Sequence, residues 1–281
     1  MNQQKLPLIL GSIMLIAMGL IYSCIKREIP IPPPVKTDST HTTPPDSTVT
    51  VNDTLNLSSG LLVYLNFNGT IADSSGNGNP VSINGATLTT DEHGNANSAF
   101  NSNGTGQMVT VTNNGSIKFD TAWSLSINVM ANVQQQQMYI SMVDYSTGYG
   151  PTFSLGTSLP AVYAVAGGSS DSVAGCDNYG YQSLDPYRIV DTSAFQPQAG
   201  VWYNIIEIYQ RGTLKIYVNG QLVASKVSTG YTAALDCPSS QIVVGGWWSS
   251  DPENINGKLD EVRLYNRVLT PQEIAQLAKN L

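Results

Sequence analysis

The stretch "NGKLDEVRLYNRVLTPQEIAQL", residues 256–277, sets two carboxylates side by side, Asp260 and Glu261, at the head of a strand-like run. Adjacent acids have three uses: proton transfer, cation binding, or holding a fold together. In an extended strand successive side chains point to opposite faces. Asp260 is then expected on one side with Val262 and Leu264, and Glu261 on the other with Arg263 and Tyr265. The first set is apolar and should face inward. A carboxylate there needs hydrogen-bond donors or a cation, because an isolated buried charge costs several kcal/mol or more.

A second oxygen-rich stretch, "DSSGNGN", places Asp73, Ser75, Asn77 and Asn79 at alternate positions. That spacing of oxygen ligands resembles many calcium loops. It also suits an ordinary turn rich in Gly and Asn. Hydrolysis of a glycosidic bond by a retaining mechanism needs two carboxyl groups about 5–5.5 Å apart, which one strand can supply from residues i and i+2 on one face. The acids two apart are Asp251 and Glu253, around Pro252 in an expected loop, while Glu207 has no acid on its face of its strand. No catalytic residue is therefore assigned. The two histidines are His41 and His93, too few for a zinc cluster or a serine triad, and His93 in "DEHGN" reads as a turn residue.

These residues have to be positioned by a chain of three parts. Lys5 precedes 17 charge-free residues, Leu6 to Tyr22, followed by Ser23 and Cys24. The run is shorter than the roughly 20 residues of a bilayer span and reads as a signal peptide over 1–23. "IYSC" resembles the lipobox of bacterial lipoproteins, which implies acylation of Cys24 and a lipid anchor in a bacterial cell envelope, at the outer membrane or cell surface. Residues 24–59 hold six of the fifteen prolines amid Thr, Ser and Asp, and are expected to be an extended tether. Residues 60–281 suit one all-β domain. Loss of the first 23 residues leaves 12 of 13 basic and all 20 acidic side chains, a net charge of −8, which disfavours nucleic acid as a partner. Cys176 and Cys237 form a possible disulfide in an exported chain.

Within the domain, "WSLSINVMANV" alternates apolar and polar residues from Trp123 to Val133, as a half-buried antiparallel strand does. Nine further runs read as strands: Leu61–Phe67, Gln107–Val111, Met138–Tyr145, Ala161–Ala166, Val201–Tyr209, Leu214–Val218, Gln221–Lys226, Gln241–Gly245 and Lys258–Tyr265. Asn219-Gly220 between two of them predicts a type I′ hairpin. Only the tail reads as a helix. Thr270 is its N-cap, Pro271 its first residue and Glu273 the partner in a capping box, with Ile274, Leu277 and Ala278 on one face.

The tryptophan-led strand, the YVNG hairpin and the acid pair before "RLYNR" occur in order. Together with "LLVYLNFNGTIADSSGNGN" they resemble the laminin-G-like jelly rolls of the concanavalin A-like lectin and glucanase superfamily over residues 60–281. The resemblance implies a two-sheet antiparallel jelly-roll sandwich in a superfamily of sugar-binding modules, glycosidases and adhesive domains. It also implies first and last strands close enough for their acids to share a structural calcium ion, with Asp73, Ser75, Asn77 and Asp260 as the expected ligands. A glycan site needs exposed aromatics beside polar groups. The candidates are Trp247 and Trp248, and Tyr179, Tyr181 and Tyr187 with Asp177 and Asn178. The expectation is an envelope-anchored, non-catalytic carbohydrate-binding protein whose partner is a polysaccharide or glycan. A protein-binding adhesive or structural module and a glycoside hydrolase are the alternatives.

Overall fold

The computed structural model describes residues 55–143, 152–158, 161–169, 188–229, 233–234 and 239–281. The chain divides into two units, Met1–Asn52 and Asp53–Leu281. The first unit, with Cys24 and the tether as far as residue 52, lies outside the described residues, as do Cys176, Cys237, Asp177, Asn178, Tyr179, Tyr181 and Tyr187.

The second unit is a two-sheet antiparallel jelly roll. Sheet A contains β1 (Leu61–Leu65), β3 (Thr87–Thr89), β4 (Ala99–Asn103), β6 (Ala122–Ala131), β11 (Tyr203–Gln210), β12 (Thr213–Val218), β13 (Gln221–Val227) and β16 (Asn256–Tyr265). Its order is β13-β12-β11-β6-β16-β4-β3, with β1 also paired to β16. Sheet B contains β2 (Val81–Asn84), β5 (Met108–Thr112), β7 (Gln137–Val143), β8 (Phe153–Ser158), β9 (Ala161–Ser169), β10 (Arg188–Thr192), β14 (Ala233–Ala234) and β15 (Gln241–Val244). Its order is β10-β9-β8-β7-β15-β5-β2, with β14 on β9. Side chains from both inner faces form one core, including Trp123, Leu125, Ile127, Phe153, Leu155, Val244 and Leu259.

The alternation read in β6 is present, but its polar face does not meet water. Ser124, Ser126 and Asn128 are as buried as the apolar set. Two coverings explain this. The first is helix α1 (Pro271–Lys279), which opens with the expected capping box and lays Ile274 and Leu277 against Ile206, Ile208 and Tyr265. Ser124 satisfies the approach to it, donating to the Arg267 carbonyl at 2.7 Å and accepting the Leu269 N–H at 3.1 Å. The second covering is the turn after β3. Glu92 accepts from Asn128 at 2.7 Å, and Asn128 in turn accepts from Asn204 at 2.9 Å. Every link in this chain is a hydrogen bond made away from water, which is what lets a polar strand face be buried.

The β12–β13 hairpin turns on Asn219 (φ 48°) and Gly220 (φ 79°), as its sequence requires. Asn219 also accepts the Asn204 N–H at 2.9 Å, fixing the turn to β11. The end of the expected tether belongs to the domain instead: Leu57 packs on the cluster under α1, and Arg267 donates to the Ser59 and Asn56 carbonyls.

Candidate functional site

The acid pair does not sit as simple alternation predicts. Asp260 pairs with Asn128 of β6, and Arg263 with Ser126, so Glu261 and Val262 together oppose one residue of the partner strand. This is a β-bulge, and Glu261 takes the left-handed conformation it needs (φ 53°). The bulge reverses the facing of Asp260. Leu259, Val262 and Leu264 are in the core, whereas Asp260 lies on the outer face with Asn128. It is nonetheless only 4% exposed.

Its surroundings are acidic. Burial, then the charge of Glu92, then those of Glu261 and Asp91 push its pKa up to about 9, against the opposing pull of the Glu261 N–H, which it accepts at 2.7 Å. Glu92 keeps one buried carboxylate oxygen without a hydrogen-bond partner. Glu261 itself is structural: it accepts the Tyr64 hydroxyl at 2.8 Å and pairs with Arg263, whose guanidinium lies 4.1 Å over the Tyr64 ring.

Asp73 has a different task. It accepts the backbone N–H groups of Tyr64 and Ser75 at 3.0 Å and of Asn79 at 3.2 Å, and the side chains of Ser75 and Asn79 at 2.9 and 2.8 Å. Burial would raise its pKa, but these donors outweigh it and hold the carboxyl below its ordinary range. Ser75, Asn77 and Asn79 donate to the Leu62 carbonyl at 3.2, 2.9 and 2.9 Å. The alternate spacing that suggested calcium ligands thus covers the free edge of β1, replacing the strand that β1 lacks on that side. Asp73 and Asp260 have separate partners. Among the described residues no group of three or more His, Cys, Asp or Glu side chains is arranged to hold a metal.

Glu207 is the third carboxylate of interest. It lies between Ile205 and Tyr209 on the inner face of β11, opposite Leu125 of β6 and Ile216 of β12. It is fully buried with both oxygens unpartnered, and burial pushes its pKa well up. Sealed in the core, it cannot touch a polysaccharide. Of the other pair weighed for hydrolysis, Glu253 is spanned by Gln136 and takes its raised pKa from burial and then from Asp251.

Strand β15 ends at Val244, and the two tryptophans lie in the bend that follows it, neither in the core. Trp247 is half-buried on the outer face of sheet B, against Met108, Val143 and Val243 on one side and Met138, Tyr163 and Val165 on the other. Trp248 is 36% exposed, its ring centroid 6.3 Å from that of Trp247. Local sequence makes this placement rigid. Gly245 has φ +101°, and a Cβ on Gly246 would come within 1.7 Å of the Asn254 side chain. Buried Asn254 donates to the carbonyls of Trp248, Ser249 and Asp251 at 3.1, 3.3 and 2.8 Å, clamping the loop from below. Ser249 and Ser250 are exposed beside Trp248, and Asp251 is half-exposed. Sequence reasoning found the tryptophans but not Asn254 or Gly246. The GG pair before WW was the available signal, since adjacent glycines mark close approach of another group.

Comparison with known proteins bears on the fold. A family model, Laminin_G_3, described as the concanavalin A-like lectin/glucanases superfamily, matches residues 101–275. No curated protein matches the chain. Among solved structures, the binding domain of Paraclostridial Mosquitocidal Protein 1 superposes with a TM-score of 0.61 at 15% identity, covering 80% of this chain and 53% of that one. The binding domain of Botulinum neurotoxin DC in complex with rat synaptotagmin II gives 0.59 at 17%, covering 80% and 52%. A botulinum neurotoxin type C structure, whose cell entry is described as dependent on two ganglioside molecules, gives 0.56 at 19%, covering 79% and 51%. The chain thus spans about half the length of these structures, and at such identities the likeness is one of fold. With the jelly roll and the matched region together, the chain belongs to the laminin-G-like branch of the concanavalin A-like lectin/glucanases superfamily.

Proposed function

We propose that the domain binds a glycan without cleaving it, on the rim of sheet B around Trp248. The observation that carries this reading is a large aromatic ring held partly in solvent by a loop that Asn254 fixes from beneath. Sugar rings present C–H faces that stack on such a ring, while Ser249, Ser250 and Asp251 supply hydroxyl and carboxylate partners next to it. A preformed aromatic loses little conformational entropy on binding. The burial of Glu207 supports binding over hydrolysis.

The anchor and location belong to the same proposal. The chain is a bacterial lipoprotein acylated at Cys24, displayed on the envelope by the Pro- and Thr-rich tether that follows it. Many tethered copies compensate for weak single-site affinity.

A structural calcium ion is part of the proposal, with its support at Asp260 and none at Asp73. Asp73 has its oxygens occupied by five donors. Asp260, beside Glu92 with its orphaned buried oxygen, is where a cation relieves crowded negative charge. Bound there it supplies charge neutralisation to the outer face of sheet A.

The function is tested by calorimetry of the chain against a panel of plant and host polysaccharides, followed by product analysis of the same mixtures. Binding to some members with no released sugar is expected. Released sugar that disappears in Asp251→Asn would replace this reading with hydrolysis, and silence across the panel would replace it with protein binding.

A further inference from the structure

A groove of about 240 Å³ opens on the outer face of sheet A, whereas the tryptophan loop lies on sheet B. Its floor is apolar, with Ile208 of β11 and Ile274 of α1 both buried, and Pro271 forms a wall. Over this floor stand Gln210 from β11 and Thr213, Lys215 and Tyr217 from β12. The register explains their convergence: Lys215 lies opposite Ile208 and Thr213 opposite Gln210, so all share the face that α1 partly covers. On the far side, two of the most exposed apolar residues of the domain continue the surface, Leu222 opposite Tyr217 and Val227 opposite Thr213.

None of these four polar side chains makes a hydrogen bond or ion pair among the described residues. Ser124 and Asn128 of the same face, by contrast, are hydrogen-bonded. No carboxylate lines the groove. Of the two acids adjacent in sequence to its lining, Glu207 points into the core, and Glu273 is already bonded by Arg267 at 2.6 and 2.7 Å and by the Thr270 N–H at 2.8 Å. Lys215 therefore stands as an uncompensated cation above an apolar floor, beside neutral donors and acceptors and an aromatic ring.

We infer that this groove is a second saccharide subsite that takes a single carboxylated sugar ring, with the carboxylate on Lys215. The ring's C–H face rests on Tyr217 and the aliphatic floor, and its hydroxyls meet Gln210 and Thr213. Size limits the occupant. Sites for drug-sized ligands span roughly 300–1,000 Å³, so this one admits one terminal residue and not a chain. Charge selects its class, because a neutral sugar leaves the ammonium group unused while a uronic-acid type of sugar gains a charge-assisted hydrogen bond. The inference rests on the glycan reading for its ligand class but places the ligand on different residues.

The test uses ligand-detected NMR on the full-length chain with two matched oligosaccharides, one ending in glucuronic acid and one in glucose. The glucuronyl form should bind more tightly, and Lys215→Gln should weaken it about tenfold while leaving the glucosyl form unchanged. Tyr217→Ala should weaken the glucuronyl form as well, and Trp248→Ala should leave the acidic preference intact. A preference untouched by Lys215→Gln, or abolished by Trp248→Ala, overturns the inference and leaves the tryptophan site standing. Equal competition by a short peptide with a free C-terminal carboxylate overturns the sugar assignment. Absence of binding by either oligosaccharide overturns it outright.

Discussion

Asp73 and Asp260 are the same residue type at the two ends of one domain, and their surroundings set them opposite tasks. Asp73 gathers five donors and stays ionised below its ordinary range; Asp260 faces Glu92 and is pushed up to about 9. The first is a joint that seals an edge strand. The second relieves crowded charge by keeping its proton at neutral pH. A carboxylate at a strand seam is thus informative only once its donors are counted, because the donors decide whether it stabilises the fold or awaits a partner.

The largest effect expected from breaking this contrast is at Asp73. Replacement by Ala removes the acceptor of five hydrogen bonds and frees the edge of β1, so stability should fall by about 2–4 kcal/mol, or roughly 5–15 °C in Tm. Its folded pKa is depressed, so this contribution is complete above the ordinary aspartate value of roughly 3.9 and fades as pH falls below it. Thermal melts of Asp73→Ala near the parent's Tm at neutral pH would show the loop to be dispensable.

Calcium should then separate the two acids. At about 100 times its dissociation constant an ion bound only by the native state adds about 2.7 kcal/mol. Asp260→Asn should lose that increment, and Asp73→Asn should keep it while melting lower. A Tm indifferent to calcium and to chelator in the parent chain argues against a cation at Asp260.

Glu207 sharpens the comparison as a carboxylate with neither donors nor neighbouring charge. Its folded pKa lies well above the unfolded value, so the native state holds a proton that the unfolded chain releases. Its contribution is intact below the ordinary glutamate value of roughly 4.3 and is lost as pH rises toward the folded value. Glu207→Gln keeps the shape and has no proton to lose. It should flatten the decline above the ordinary glutamate value, so that the variant's advantage over the parent grows as pH rises. Parallel pH–stability curves for parent and variant would mean that Glu207 has a partner when folded.

How much of this was legible in the sequence follows from range. The helix cap at Thr270 and the turn at Asn219-Gly220 are written in residues that touch their near neighbours, and both stand as read, whereas β6 is a strand as read but is buried on both faces. The facing of Asp260 was not legible, because the bulge is set by pairing with β6, more than a hundred residues away. The same holds for Ser124, Ser126 and Asn128. Alternation assigns them to solvent, and only the arrival of α1 and the Glu92 turn buries them. Short strands such as β2, β3 and β4 carry too few residues to show a period. In the tryptophan loop the aromatic residues announced themselves, whereas the Asn254 clamp depends on a fold-back that sequence spacing does not reveal.

The smallest effect on the fold belongs to the residue with the largest role in function. Trp248 is partly exposed on a loop held through its carbonyls by the Asn254 side chain, so Trp248→Ala should move the Tm by no more than about 2 °C. The most direct measurement is calorimetric titration of parent chain and Trp248→Ala with the polysaccharide the parent binds best. The account predicts that the variant loses at least about tenfold in affinity at nearly unchanged Tm. Equal affinity for both chains would contradict it.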